Sequence, residues 1–181
     1  YKEWLFHTKN YFYSNEELKR SIESEEAFAV TDASYVERED CGAAAWRFTD
    51  GEYTPLVEGT SLVPICQDEG SSFRCESTGI LAILDELARY CTKNNINNGK
   101  ITICCDNLKV IEAMEFWLSI RMSPNQKNSD IISSCLKLRD EIPIDIAWQH
   151  IYGHCLHDTC FAQSIQHDVQ GSLGDSNPKH K

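Results

Sequence analysis

The sequence predicts an α/β fold in which a mixed five-stranded sheet is flanked by helices. Three apolar segments separated by turn residues come first, and helices and strands alternate after them in the order β-β-β-α-β-α-α-β. Tight turns join antiparallel neighbours, whereas a crossover helix joins parallel strands. We therefore expect three antiparallel strands followed by parallel strands in one sheet.

Each predicted strand is a short apolar segment with turn signals at its ends. The first begins at Ala27 and leaves the core at Asp32, and TDGE forms a turn between the second and the third. The fifth alternates apolar and polar residues after Pro143, which ends the preceding helix. The five segments are AFAVTDASYV (27–36), CGAAAWRF (41–48), EYTPLVEGTSLVPI (52–65), KITICC (100–105) and IDIAWQH (144–150).

The helices are predicted from apolar residues that repeat with a period of 3.6. The first has a wide apolar stripe in ILAILDELA, and Ser71 or Ser72 caps it. The second follows Asp106, and the third covers roughly 129–139. The apolar face of the second helix is predicted to hold Leu108, Ile111, Met114 and Leu118.

The chain is expected to comprise an N-terminal extension (1–26), one globular domain (27–170) and a C-terminal tail (171–181). The extension combines aromatic residues with the acidic helical segment SNEELKRSIESEE, and its packing is not assigned. The tail, GSLGDSNPKHK, is polar and rich in turn residues. Because residue 1 is Tyr, we expect the chain to be a piece of a longer protein.

The charge balance restricts the partners of the protein. Its 28 acidic and 17 basic residues give a net charge of −11 and a pI near 4.9. Such a surface repels phosphate, so a nucleic-acid partner requires a local basic patch or bound cations. No run approaches the roughly 20 apolar residues that span a bilayer, so no membrane association is expected.

The nine cysteines favour reduced thiols and an intracellular protein, in the cytoplasm or the nucleus. Their number is odd, and Cys104, Cys105 and Cys135 lie in apolar, core-like patterns. An alternative is a zinc site in GHCLHDTC, which contains Cys155 and Cys160. No second pair at a fitting spacing completes four ligands, so a surface loop is favoured there.

Three acidic residues lie where a core segment meets a loop or a helix. Asp32 ends the apolar part of the first strand, Asp106 follows the fourth, and Glu76 opens the first helix. Ligand sites in such sheets lie beyond the carboxyl ends of strands, so these carboxylates are expected to converge. Like charges held together require a cation, and oxygen ligands favour Mg²⁺. Two such ions hydrolyse a phosphodiester.

Each acid also has a purely structural interpretation. Asp32 is compatible with a turn, Glu76 with stabilisation of a helix N-terminus, and Asp106 with an N-cap. Their joint placement on this order of elements favours the metal site.

Four segments of the chain carry a resemblance to a known family, and they occur in the family's order: VTDASYVEREDCGAAAW, FRCESTGILAIL, ITICCDNLKVIEAM and SDIISSCLKLRDEIPIDIAWQHIYGH. With these segments the chain resembles the ribonuclease H family, most closely the ribonuclease H domains of retroelement reverse-transcriptase polyproteins. The resemblance covers about residues 17–158 and implies a ribonuclease H-like fold.

The resemblance implies a role for each matching residue. Asp32, Glu76 and Asp106 match the metal-binding acids, and His154 matches a flexible histidine that helps proton transfer or product release. The family also has a fourth acid at the start of a closing helix. Asp168 is preferred to Asp158 for this acid, because the family's last acid follows a loop rather than the histidine turn.

Two further residues lie beside these positions. Ser34 matches a small polar residue near the first acid, which suits close approach of a substrate backbone. His150 is expected to end the fifth strand as a structural or rim residue.

The resemblance implies a metal-dependent endonuclease that hydrolyses the RNA strand of RNA–DNA hybrids. The expected cofactor is Mg²⁺, with Mn²⁺ as the alternative. The expected partners are an RNA–DNA hybrid and a reverse-transcriptase domain in the same polyprotein. The alternative is a catalytically degenerate module with a structural or nucleic-acid-binding role, favoured by the acidic charge and by the turn-rich sequence after Asp168.

Overall fold

A computed structural model of the chain describes residues 8–12, 15–65, 70–116 and 126–152. A short 3₁₀ turn, Glu37–Glu39, links the second and third strands. The elements are β1 (Thr8–Tyr11), α1 (Asn15–Glu23), β2 (Ala27–Val36), β3 (Cys41–Thr49), β4 (Pro55–Leu62), α2 (Ser72–Asn94), β5 (Lys100–Cys105), α3 (Leu108–Phe116), α4 (Ser129–Glu141) and β6 (Asp145–His150).

The strands form one mixed sheet in the order β1-β4-β3-β2-β5-β6. The predicted antiparallel meander is confirmed in β2, β3 and β4, while β5 pairs in parallel with β2 and with β6. The predicted count of five strands was wrong by one, because β1 pairs antiparallel with β4 at the sheet edge. A four-residue strand is too short to show a clear alternation in sequence, and its pairing depends on the edge that β4 offers.

β2 has the bounds of the predicted segment, 27–36, and it leaves the core at Asp32 as expected. Beyond Asp32 its residues still pair with β3, as far as Val36 opposite Cys41. Its alternation is clear: Ala27 and Ala29 are buried against the helices, whereas Asp32 is exposed.

α2 is the central helix, and its long buried face covers one side of the sheet. Ser71 is the N-cap, because its hydroxyl accepts a hydrogen bond from the backbone N–H of Arg74 at 3.2 Å. The helix ends at Asn95, which adopts the left-handed conformation common at helix C-termini.

The first turn of α2 is fixed by the buried Arg74 side chain. Its guanidinium donates to Pro64 O at 2.7 Å and makes two bonds to the Asp130 carboxylate, at 3.0 and 2.8 Å. Arg74 thereby joins the start of α2 to the loop after β4 and to the start of α4. Because Arg74 is two residues before Glu76, these contacts also fix the part of α2 that carries the glutamate.

α2 packs closely on β2 at Gly79. A Cβ atom added at Gly79 would come within 1.8 Å of Thr31 Oγ1, and that hydroxyl donates to Ala45 O at 2.9 Å. The absence of a side chain at Gly79 therefore sets how near the helix lies to the strand.

The acidic segment before β2 is helical, as its pattern predicted. In α1, Leu18 and Ile22 are buried in the main core. In α3, Ile111 and Met114 are buried as expected, but Leu108 is 51% exposed because it occupies the first helical position, outside the packed stripe. Leu118 lies outside the described residues.

The described cysteines all carry free thiols, and Cys104, Cys105 and Cys135 are fully buried, in accord with their apolar patterns. Within the described ranges, every helix is too short or too polar to cross a bilayer.

Candidate metal centre

Asp32 lies just beyond the point where two parallel strands separate. The last parallel pair of β2 and β5 is Val30 with Cys104, and from Asp32 onward β2 pairs only with β3. β5 ends at Cys105 while β2 continues, so the two strands leave a gap between them.

Glu76 enters this gap from α2. Its side chain is 2% exposed, and its Oε1 accepts a hydrogen bond from the backbone N–H of Ala33 at 3.0 Å. Ala33 lies past the last parallel pair, so the carboxylate satisfies a backbone donor at a position that β5 does not reach. The Glu76 carboxyl group thus accepts the hydrogen bond that a neighbouring strand would otherwise accept, at the point where β2 and β5 separate.

Asp106 follows the last residue of β5. The structural alternative for this residue was an N-cap, but Asn107 holds that role, because its Oδ1 accepts from Val110 N at 3.4 Å. The backbone of Asp106 is fixed instead, since its carbonyl oxygen lies 3.1 Å from His150 Nε2. Among the described residues, neither the Asp106 nor the Asp32 carboxylate accepts a hydrogen bond.

The electrostatics of the gap are unfavourable for a third negative charge. Burial raises the pKa of Glu76 to about 8, with further increases from the charges of Asp106 and Asp32. The hydrogen bonds from Cys105 and Ala33 oppose this rise only in part. Without a cation the Glu76 carboxyl is therefore protonated at neutral pH, and a divalent ion would take the place of that proton.

The donor atoms of the cluster fit a divalent cation. Ligand atoms of Glu76, Cys105 and Asp106 all lie within 4.8 Å of one another. Two of the three are carboxylate oxygens, the ligands that hard cations such as Mg²⁺ prefer.

Sequence reasoning missed Cys105 as a member of this cluster and treated it only as a core residue. Its thiol lies 3.6 Å from Glu76 Oε2. Its place directly before Asp106, at the end of a buried strand, was the available signal, but the contact depends on how α2 packs.

The remaining predicted site residues fall into two groups. His150 ends β6, as expected, and Ser34 is exposed two residues after Asp32. Other predicted positions lie outside the described residues, namely the histidine at 154, both candidates for the fourth acid, Asp158 and Asp168, and the loop with Cys155 and Cys160.

The strand order is that of an α/β protein with a ribonuclease H-like fold, and solved ribonuclease H1 structures are similar to this chain. The enzyme from Halobacterium salinarum NRC-1 is 13% identical, with a TM-score of 0.52, over 83% of this chain and 98% of its own. LC11 ribonuclease H1 in complex with an RNA/DNA hybrid is 10% identical, with a TM-score of 0.58, over 80% and 99%. LC11 ribonuclease H1, isolated from compost by a metagenomic approach, is 12% identical, with a TM-score of 0.53, over 83% and 99%.

No protein-family profile and no curated protein sequence matches this chain. At such low identities the structural likeness establishes the fold. The predicted ribonuclease H-like fold is therefore confirmed.

Proposed function

We propose that this chain is a metal-dependent endonuclease that hydrolyses the RNA strand of RNA–DNA hybrids. The observation that carries the proposal is the buried Glu76 in the gap between β2 and β5, with its pKa raised by burial and by two neighbouring aspartates. A protein gains nothing for folding from three carboxylates around one gap. The arrangement is explained when a divalent cation is bound there.

Asp32, Glu76 and Asp106 would hold the ion, with Asp168 as the fourth acid. Mg²⁺ is the proposed cofactor, and Mn²⁺ is the alternative. A cation held by these carboxylates would supply a nucleophilic water and would stabilise the leaving oxygen of a phosphodiester. In our proposal His154 assists proton transfer or product release.

The residues of the chain orient the reacting groups. The backbone N–H of Ala33 fixes one oxygen of Glu76, so this carboxylate keeps its direction as charge develops nearby. On the exposed face that carries Asp32, β3 presents the small side chains of Ala43 and Ala45 beside Ser34 and Asp32. A nucleic-acid backbone can approach Asp32 closely on this face, where an A-form hybrid is recognised by shape and by 2′-hydroxyls.

A structural or binding role without catalysis is the second candidate. It is supported by the net charge of −11, which disfavours a polyanionic substrate unless cations are bound. The two candidates make opposite predictions for metal-dependent cleavage.

The proposed biological context is an intracellular retroelement reverse-transcriptase polyprotein, with a reverse-transcriptase domain as the partner. Its support is the motif resemblance in the sequence. Sequencing the complete transcript tests it, since a reverse-transcriptase domain is expected in the same open reading frame.

The activity is tested by cleavage of an end-labelled RNA–DNA hybrid with Mg²⁺ or Mn²⁺, comparing the wild-type chain with Asp106→Asn. Cutting of the RNA strand alone, dependent on metal and lost in the variant, is the expected result. No cutting by a folded wild-type chain would favour the degenerate module. Cutting of double-stranded DNA or RNA at the same rate would contradict the proposed substrate.

A further inference from the structure

Cys105 contacts both sides of the candidate metal centre. It is fully buried, and its S–H donates to Glu76 Oε2 with a sulfur–oxygen distance of 3.6 Å. The same sulfur accepts a hydrogen bond from the backbone N–H of Asn107 at 3.4 Å. One thiol therefore links the glutamate on α2 to the turn that carries Asp106.

The two oxygens of Glu76 are held from different directions. Oε1 accepts from the N–H of Ala33 on β2, and Oε2 accepts from the thiol on β5. A carboxyl group held at both oxygens by two different strands cannot rotate freely about its terminal bond. Its plane is thus set before any ligand arrives.

The turn at Asp106 is fixed on several sides as well. The amide that follows it donates to Cys105 Sγ, and its own carbonyl lies 3.1 Å from His150 Nε2. The carbonyl of Cys105 accepts from Ile151 N at 3.0 Å, which extends the contact with β6. The thiol is the one side chain in this set that also contacts Glu76.

We propose that Cys105 is a positioning residue of the metal centre: its thiol holds the Glu76 carboxylate and the Asp106 turn at the separation that a divalent cation requires. This inference rests on the proposed function, because it assumes that the acids bind metal. Partners of this kind, which orient ligands without binding the ion, are typically worth 10- to 100-fold in metal affinity or activity.

The thiol is suited to donating a hydrogen bond and not to binding the ion itself. Hard cations such as Mg²⁺ select oxygen ligands over a soft sulfur atom. In the structure the thiol is instead directed to Glu76 Oε2, as a hydrogen-bond donor. A serine hydroxyl also donates, but it reaches less far, since a C–O bond is shorter than a C–S bond.

Cys104 provides a matched control in the preceding position. It is also fully buried on β5, but it belongs to a cluster with Ile151 and its sulfur lies 4.0 Å from Gln149 Oε1. Truncating either cysteine removes one buried sulfur from the same strand. Only the Cys105 truncation removes a contact with Glu76.

The test is calorimetric titration of Mn²⁺ into the full chain without nucleic acid, for wild type, Cys105→Ala, Cys105→Ser and Cys104→Ala. Thermal unfolding of each variant establishes that it is folded. We expect Mn²⁺ binding to weaken by about 10-fold in Cys105→Ala, and by less in Cys105→Ser, which keeps a donor. Cys104→Ala should bind as wild type does, and the metal-activation curve for hybrid cleavage should shift in parallel.

Three results would overturn the inference. These are wild-type affinity in Cys105→Ala, equal weakening in Cys104→Ala, and equal weakening in the serine and alanine variants at 105. Titration of Asp106→Asn in the same experiment separates failure of the proposed metal centre from failure of the positioning role of Cys105. If wild type and Asp106→Asn bind Mn²⁺ equally, the proposed metal centre itself fails; if binding depends on Asp106 but not on Cys105, only the positioning role fails.

Discussion

Replacing Gly79 by alanine should displace α2 from β2 and reduce hybrid cleavage. The added Cβ would lie 1.8 Å from Thr31 Oγ1, about 1.6 Å short of an ordinary contact at 3.4 Å. The hydroxyl cannot turn away without losing its 2.9 Å bond to Ala45 O, and Thr31 Cβ is itself only 3.0 Å away. Either α2 moves away from β2 by roughly 1 Å, or the Thr31 side chain rotates and loses its hydrogen bond to Ala45 O.

The displacement matters because Glu76 is one turn before Gly79 on the same helix. A shift of about 1 Å in a catalytic group can cost about 10²-fold in rate, so we expect kcat to fall by roughly that factor. Overpacking costs about 1–3 kcal/mol, of which the better helix propensity of alanine recovers up to about 1 kcal/mol. The free energy of unfolding should thus fall by about 1–2 kcal/mol.

The assay is single-turnover cleavage of a labelled hybrid together with urea denaturation. Thr31→Ala alone measures the loss of the hydroxyl, and the double variant Thr31→Ala/Gly79→Ala should recover much of the activity because the overlapping oxygen is gone. Wild-type cleavage and stability in Gly79→Ala would refute the reasoning. So would a double variant no better than the single one.

Three further outcomes are expected. In EDTA, the free energy of unfolding should fall as the pH rises from about 4.5 to about 8, because Glu76 keeps its proton in the folded chain and loses it in the unfolded chain. The expected fall is on the order of 3–5 kcal/mol in urea denaturation. Glu76→Gln should remove this pH dependence. Asp106→Asn should abolish cleavage. It should also stabilise the metal-free chain at pH 8 by about 1 kcal/mol, because it removes a negative charge beside Glu76. A lower melting temperature for this variant without metal would contradict the prediction. Asp130→Asn should cost about 3–5 kcal/mol in denaturant titrations, because it leaves the Arg74 guanidinium, which is 2% exposed, buried without its counter-charge. Arg74→Met should cost clearly less, because the Asp130 carboxylate left behind is 36% exposed and reaches water; equal losses would argue against an unpaired buried guanidinium as the cause.

Much of the fold was predictable because its signals are local. β5 has the bounds that KITICC predicted, and Ser71 caps α2 as expected from a hydroxyl residue before an apolar stripe. Periodicity and capping depend on neighbours within a turn or two, so a single sequence carries them. β1 lacked such a signal, since its four residues gain their partners only at the edge of β4.

The candidate site was predictable in part for a related reason. Asp32 and Asp106 were identifiable as acids at the margins of apolar strands, a local feature of the sequence. The point at which β2 and β5 stop pairing, after Val30 and Cys104, was not, because it depends on the register between two strands distant in the chain.

By itself, the sequence determined the order of strands and helices, the main amphipathic faces, and three acids at places where metal ligands are expected. Only the tertiary structure decided that β2 and β5 separate after Val30, that Glu76 fills the gap by bonding to Ala33, and that Cys105 faces this glutamate. Glu76 and Ala33 are 43 residues apart in the chain, and Glu76 and Cys105 are 29 apart. Contacts at such separations depend on strand register and on how closely a helix packs on a sheet, and neither is written in the local pattern of residues.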